Sequence, residues 1–218
     1  MNGLLMGKRG RGKTTLALHL ARSLGLTVCV FDINRQFDFP AEIVTDRNDL
    51  ESRLYDGAAF IVFRPGLDID AGFEEFARGV SNWRDLTVLI DESSRLQASN
   101  SLHPWLDEFI RRGRDIHLLQ TFHRPSDAAN ICRALASDWF IFQTRQPASL
   151  ACVADQCGGE VAEIVSALGE REYVHWNDDA EKWERVSDAR GWFELLAASA
   201  PIDVDLTQVL EVSSHAVN

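Results

Sequence analysis

The stretch Gly7-Lys8-Arg9-Gly10-Arg11-Gly12-Lys13-Thr14 follows the pattern G-x-x-x-x-G-K-T. It constrains the fold more than any other stretch, because this phosphate-binding P-loop pattern works only where a buried strand turns into a helix. Glycines let backbone N–H groups curl around phosphate oxygens with no Cβ in the way. A lysine at the Lys13 position brings a point charge to the β- and γ-phosphates, and the hydroxyl of Thr14 can bind Mg²⁺. The flanks agree. Leu4-Leu5-Met6 is an apolar run suited to a buried strand, and Leu16, Ala17, Leu20, Ala21 and Leu24 recur on one helical face. A helix starting at Gly12 aims its first N–H groups at an anion. Gly7, Gly10, Arg11, Gly12, Lys13, Thr14 and Thr15 are therefore the expected nucleotide-binding residues, with ATP and Mg²⁺ as the expected ligands.

The rest of the first 150 residues alternates strands and helices. Thr27–Phe31 reads as a strand ending in Asp32, after Gly25 as a plausible helix stop. Strand, helix and strand at this length make a right-handed βαβ unit. A short helix is expected near Asp49–Tyr55, a strand at Ala58–Phe63 and a helix from about Ala71 to Trp83. Leu86–Ile90 then runs into Asp91-Glu92, the Walker B pattern. Asp91 is expected to hold Mg²⁺ and Glu92 to polarise the attacking water. The paired acid favours hydrolysis by water over phosphoryl transfer to a small molecule.

Composition bounds what the chain can be. Its 218 residues suit one domain with a sizeable core, and 45% are hydrophobic, so it is globular. The net charge of −11 is uneven: residues 1–150 hold 18 basic and 19 acidic residues, whereas 151–218 hold 4 and 14. Overall charge therefore gives no argument for nucleic acid, and a ring of locally basic loops stays compatible with it. Cys29, Cys132, Cys152 and Cys157 form no C-x-x-C pair, which fits reduced thiols rather than zinc. No apolar stretch is long enough to span a bilayer, and the sequence enters its first strand at once, with no room for a leader. A cytoplasmic or virion setting is the expectation.

Pro104 to Arg112 reads as a helix with Trp105, Leu106, Phe109 and Ile110 on its buried face and Gly113 as its stop. Arg111, Arg112 and Arg114 cluster at its end. By spacing alone, complementing the helix dipole is favoured over an arginine finger reaching a neighbour's γ-phosphate. Ile116–Thr121 is the next strand, Ser126 a candidate cap for a helix over Asp127–Leu135, and Trp139–Phe142 a further buried strand.

The segment Arg112 to Ser126 (R-G-R-D-I-H-L-L-Q-T-F-H-R-P-S) resembles, without a gap, the region through the T-Q-R-P-S sensor motif of the FtsK–HerA superfamily of DNA-pumping ATPases. Together with the P-loop, Asp32 and Asp91-Glu92, the resemblance covers about Gly3 to Thr144. It implies a RecA-like α/β core with a mostly parallel sheet flanked by helices, its sensor strand between the Walker A and Walker B strands. It also implies a homo-oligomeric ring, usually a hexamer, that moves double-stranded DNA. Arg112 falls where the family places its finger arginine, so catalysis is expected to use Lys13, Glu92, Arg112 and His123. Two positions depart from the pattern: His123 stands where the family has the sensor Gln, and Phe122 where it has Thr. A histidine still donates to a γ-phosphate, with a strength that varies with pH.

The minimal chain is most similar to genome-packaging ATPases of membrane-containing viruses, which implies a capsid-vertex or membrane protein as partner. Three other readings stay open: an ATPase for filamentous-phage assembly or secretion, a small-molecule P-loop kinase, and a nucleotide-binding scaffold without turnover. After the core at residues 1–150, residues 151–200 are expected to add a helix from Gly158 to Leu168 and a small C-terminal β-hairpin appendage. That hairpin pairs Arg171–Trp176 with Lys182–Val186. The acidic residues 201–218 read as a tail.

Overall fold

The computed structural model describes residues 1–37, 41–98, 101–112 and 116–187. Strand β1 (Asn2–Met6) feeds the glycine loop and α1 (Lys13–Ser23), followed by β2 (Thr27–Phe31), β3 (Glu42–Val44), α2 (Arg47–Tyr55), β4 (Phe60–Phe63), α3 (Ile69–Val80) and β5 (Leu86–Ile90). A 3₁₀ turn at Ser93–Leu96 leads to a small antiparallel pair, β6 (Gln97–Ala98) and β7 (Ser101–Leu102). Helix α4 (Pro104–Arg111) and β8 (Ile116–Phe122) come next, then a 3₁₀ turn at Pro125–Asp127 and α5 (Asn130–Ala134). The described chain closes with β9 (Asp138–Phe142), α6 (Pro147–Cys157), α7 (Gly159–Ala167) and the hairpin β10 (Tyr173–Asn177) and β11 (Lys182–Val186).

Nine strands form one sheet in the order β11-β10-β9-β1-β8-β5-β2-β4-β3. All neighbours from β9 to β3 run parallel; only β10 and β11 are antiparallel. Strand β8 lies between β1 and β5, the place that the family resemblance implies for a sensor strand. Strands β1, β5 and β9 are buried at every position, which is why they read as apolar runs rather than alternations. One core layer packs Leu16, Ala17 and Ala21 of α1 against Leu5, Val28, Val30, Leu89 and Leu119. The other holds an aromatic cluster in which Phe73 meets Phe31 edge-on at 5.0 Å and Phe109 at 6.1 Å. A truncation such as Phe73→Ala in such a layer costs about 3–5 kcal/mol.

Local chemistry explains where elements begin. Asp46 and Asp68 cap α2 and α3 by accepting from the N–H groups of Asp49 and Ala71, each at 3.0 Å. The Asp68 cap starts α3 two residues before the expected Ala71, and the helix ends at Val80 rather than Trp83. Gly25, at φ 67, follows α1 as the stop the sequence predicts. Ser126 caps no helix. It lies within the 3₁₀ turn, its hydroxyl 3.3 Å from that of Ser149, and α5 begins only at Asn130. The glycine expected to stop α4 (Gly113) and the tail at 201–218 lie outside the described residues.

The C-terminal hairpin is joined to the main sheet: β10 pairs with β9 in the register Asn177↔Asp138 and Tyr173↔Phe142. A polar clamp fastens it. The Asp138 carboxylate meets His175 Nε2 at 2.9 Å and accepts from Asn177 Nδ2 at 3.0 Å and from the Ser137 hydroxyl at 2.7 Å. The imidazole also meets Glu184 Oε1 through Nδ1 at 3.3 Å and stacks on Phe140 at 4.6 Å. The Asp138 hydrogen bond raises the His175 pKa against its burial, helped by Glu184. Burial pulls Asp138 upward, but the hydrogen bonds from His175, Ser137 and Asn177 outweigh it and leave the group below its ordinary value.

These shifts set a pH window. A raised histidine contributes stability that is complete below the unfolded value of about 6.5 and is lost as pH rises through the folded value. A depressed carboxylate contributes stability that is lost as pH falls below about 4. The clamp is therefore strongest between those limits. The melting-temperature difference between the wild-type chain and His175→Gln should be largest near pH 6 and shrink by about pH 9. Thermal denaturation followed by circular dichroism measures it, and an equal difference at both pH values would show that the clamp is not ionic.

Candidate active site

The glycine loop joins β1 to α1 in the way its spacing requires. Gly10 and Gly12 have φ of 78 and 98, the left-handed region where a side chain is strained. Gly7 is needed for a different reason: a Cβ there would lie 2.6 Å from Cβ of Phe142. Its N–H donates to the Phe122 carbonyl at 3.1 Å, which levels the loop with the end of β8. Helix α1 has no acidic residue in its first turn and no side-chain cap, so its leading N–H groups have no side-chain acceptor and suit an external anion. Lys13, Thr14 and Thr15 all lie in that turn.

The Lys13 side chain is buried, and its Nζ donates to the Lys8 carbonyl across the loop at 3.1 Å. Burial lowers its pKa, and the charges of Asp91 and Glu92 act against that fall. The three groups therefore share one electrostatic environment. Arg11 reaches sideways, donating at 3.2 Å to Gln143 Oε1, while Gln143 itself donates to the Leu168 carbonyl.

Asp91 and Glu92 leave the end of β5, next to the end of β8. Asp91 is 3% exposed. Its Oδ1 accepts from the Thr121 hydroxyl at 2.8 Å, whereas Oδ2 is buried and has no hydrogen-bond partner among the described residues. Burial raises the Asp91 pKa, Glu92 and Asp32 add to the rise, and the Thr121 hydrogen bond opposes it. Glu92 adopts φ 51 and ψ 49, an uncommon conformation for a residue with a Cβ. Its N–H donates to Thr121 Oγ1 at 2.9 Å, and its carboxylate Oε1 lies 2.8 Å from His123 Nε2. Burial pulls the Glu92 pKa up, yet Asn34, His123 and Arg95 together leave it below the ordinary range. The Asn34 amide acts on both acids, although its nitrogen has no partner at hydrogen-bond distance.

The carboxyl edge of the sheet thus gathers Gly7, Gly10, Arg11, Gly12, Lys13, Thr14, Thr15, Asp91, Glu92 and His123. An orphaned acidic oxygen and a hydroxyl are hard oxygen donors, so Asp91 Oδ2 and Thr14 fit Mg²⁺. Among the described residues no cluster of three or more His, Cys, Asp or Glu could hold a metal by itself, as expected where phosphates and water complete the shell. Phe122 is buried and presents only its carbonyl, to Gly7. Arg112 is not brought to this place. It closes α4, ahead of β8 in the chain, with its backbone N–H donating to the Glu108 carbonyl. The seven residues of β8, about 20 Å of extended chain, lie between it and His123 in the sequence. Arg111 is paired with Asp107 at 2.9 Å, and Arg114 lies outside the described residues.

Sequence reasoning missed Thr121, Asn34, Ser93 and Gln120. The Ser93 hydroxyl donates to Gln120 Oε1 at 2.8 Å, a second tie between the turn after β5 and β8. The signal for Thr121 was its place beside Asp91 once β8 neighbours β5, in the register Ile90↔Gln120.

No family model matches the chain, and no curated protein sequence matches it. Solved structures do. The genome packaging NTPase B204 from Sulfolobus turreted icosahedral virus 2, in complex with ATPγS, matches with a TM-score of 0.72 at 20% identity, over 84% of this chain and 94% of that one. Its AMPPCP complex matches with a TM-score of 0.73 at 20% identity, over 84% of this chain and 95% of that one. B204 from Sulfolobus turreted icosahedral virus, described as a DNA-packaging ATPase, matches with a TM-score of 0.70 at 21% identity, over 85% and 98%. The chain shares its fold, along nearly the full length of those proteins, with a viral genome-packaging NTPase.

Proposed function

We propose that this chain is an ATP-hydrolysing motor that translocates double-stranded DNA in viral genome packaging. One observation carries the reading. Lys13, Thr14, Asp91, Glu92 and His123 meet at the carboxyl ends of β1, β5 and β8, in a fold shared with packaging NTPases crystallised with ATP analogues. The N–H groups of the glycine loop and Lys13 Nζ hold the β- and γ-phosphates, and the phosphate charge takes over from the Lys8 carbonyl as partner of Nζ. Asp91 and Thr14 would hold Mg²⁺, which when bound would neutralise phosphate charge. Glu92 stays ionised at neutral pH, since its neighbours hold it below the ordinary range. With Oε1 engaged by His123, its other oxygen is free to orient the attacking water.

Lys13→Ala should lose ATP binding. Glu92→Gln should keep ATP affinity while turnover falls about 10²-fold or more, since it removes the water-orienting group and leaves Asp91 in place. Calorimetric titration with ATP and a phosphate-release assay separate the two effects. Equal losses of binding and turnover in Glu92→Gln would point to a metal or folding defect instead.

The DNA part has its own test. ATPase rate measured with and without long double-stranded DNA, at two stated salt concentrations, should show stimulation that weakens as salt rises, because phosphate contacts release counterions. An unstimulated rate would favour an assembly or secretion ATPase.

Arg112 acts in trans in this reading, within a homo-oligomeric ring taken to be a hexamer. The whole of β8 lies between it and His123 in the sequence, and a guanidinium added to the transferred phosphoryl group is worth about 10³–10⁵ in rate. Arg112→Ala and Glu92→Gln, each inactive alone, should regain activity when mixed, at interfaces that pair an intact Glu92 with an intact Arg112. Subunit exchange is verified separately by fluorescence transfer. With exchange established, a mixture that stays inactive would return Arg112 to a helix-end role.

A further inference from the structure

The two acids of the site depend on one hydroxyl. Thr121 Oγ1 donates its proton to Asp91 Oδ1 at 2.8 Å and accepts the Glu92 N–H at 2.9 Å. Both bonds are made inside the protein, where Thr121 is 1% exposed. The donor bond occupies one carboxylate oxygen of Asp91 and leaves Oδ2 as the oxygen without a protein partner. The acceptor bond fixes the peptide that enters Glu92, the residue held at φ 51. Without that anchor the backbone would relax toward the commoner α or β region and turn the Glu92 carboxylate away.

We propose that Thr121 is the positioning residue of the hydrolytic site: one side chain that sets the metal-facing oxygen of Asp91 and the water-facing carboxylate of Glu92 together. The inference rests on the ATPase reading above. Its residue type follows from the chemistry. The position needs one atom that donates and accepts at once, which a hydroxyl oxygen does; a methyl does neither, and an amide splits the two roles between separate atoms. Serine has the hydroxyl but not the second substituent that limits χ1, so it should work slightly less well.

The test compares Thr121→Val, Thr121→Ser and Thr121→Cys with the wild-type chain. Thr121→Val keeps the shape and loses the hydroxyl. Its kcat should fall about 10–100-fold, the size expected for lost hydrogen bonds to charged or strained groups. The readout besides activity is calorimetric titration with AMPPCP with and without Mg²⁺. The gain in affinity that Mg²⁺ confers should shrink in Thr121→Val, while affinity without Mg²⁺ stays as in wild type. In a Glu92→Gln background, Thr121→Val should add little further loss of turnover and still reduce the Mg²⁺ gain. Thr121→Ser should restore both readouts.

If Thr121→Val fails to fold, Ser against Cys decides. A thiol of similar size is a poor donor and acceptor, so near-wild-type Ser with impaired Cys supports the role, and indistinguishable Ser and Cys overturns it. A folded Thr121→Val with unchanged kcat and unchanged Mg²⁺ gain also overturns it. Failure of the underlying reading looks different: the wild-type chain itself would bind no nucleotide and hydrolyse none.

Discussion

The register of three central strands decides everything downstream of it. Strand β8 pairs with β1 so that Met6 lies opposite Phe122, and with β5 so that Ile90 lies opposite Gln120. These pairs end β1 and β8 together and β5 slightly earlier, so Asp91 emerges beside Thr121 and Gly7 beside the end of β8. Burial on both faces locks the register. A slip of one residue would turn Leu118 and Leu119 to opposite faces and move Thr121 away from Asp91. The phosphate loop, the acid pair and the histidine are thus consequences of how apolar strands pack, although none of the chemical groups is apolar.

That packing supports an arrangement that is locally unfavourable. Glu92 and the loop glycines Gly10 and Gly12 have positive φ, and only Glu92 carries a Cβ to be strained by it, at a cost on the order of 1–3 kcal/mol. Lys13 and Asp91 are buried, each with its charged form disfavoured by burial. Such groups persist because neighbours specify them more strongly than local preference opposes them. Asp32 shows the same principle in a purely structural role. It is 0% exposed, and it accepts from the N–H groups of Gln36 and Phe37 and pairs with Arg64 at 3.3 Å. It ties the loop after β2, including Asn34, against the site.

The legible parts of the chain were those where chemistry demands fixed residue types at fixed spacing, or where burial leaves a plain periodic trace. The glycine loop, the paired acids after an apolar run and the central strands are of this kind. Helix α6 was not foreseen because its buried face is only Ser149, Val153 and Cys157, a short stripe of one polar and two small apolar residues that leaves a weak periodic trace. Strand β3 is three residues long with two of them exposed, so no alternation identifies it. Ser126 resembled a helix cap but was drawn to Ser149 by tertiary packing. Thr121 escaped notice for a deeper reason. A threonine in a strand is ordinary by propensity, and its role exists only once the strand order is known. The resemblance implies β8 beside β5, but it is the register, with Ile90 opposite Gln120, that sets Thr121 against Asp91, and no local pattern encodes a register.

The placement of Arg112 follows from the same topology. In a parallel sheet every strand's carboxyl end lies at one edge, so the residue before a strand and the residue after it are always a strand-length apart. His123 directly follows β8, and Arg112 closes the helix that precedes β8 in the chain. Strand β8 is hydrogen-bonded on both sides and lies within the close-packed core, which transmits strain rather than absorbing it. On the proposed reading, a subunit's own nucleotide is met at one end of this strut and the neighbour's nucleotide at the other. A rigid element that touches two sites gives each a physical means to bias the other, provided that the strand has two discrete positions. The Ser93–Gln120 and Asp91–Thr121 hydrogen bonds fasten the acid turn to the same strut. A displacement of β8 would therefore carry the orientation of Glu92 with it, so water activation in one subunit would be linked to finger placement in the next.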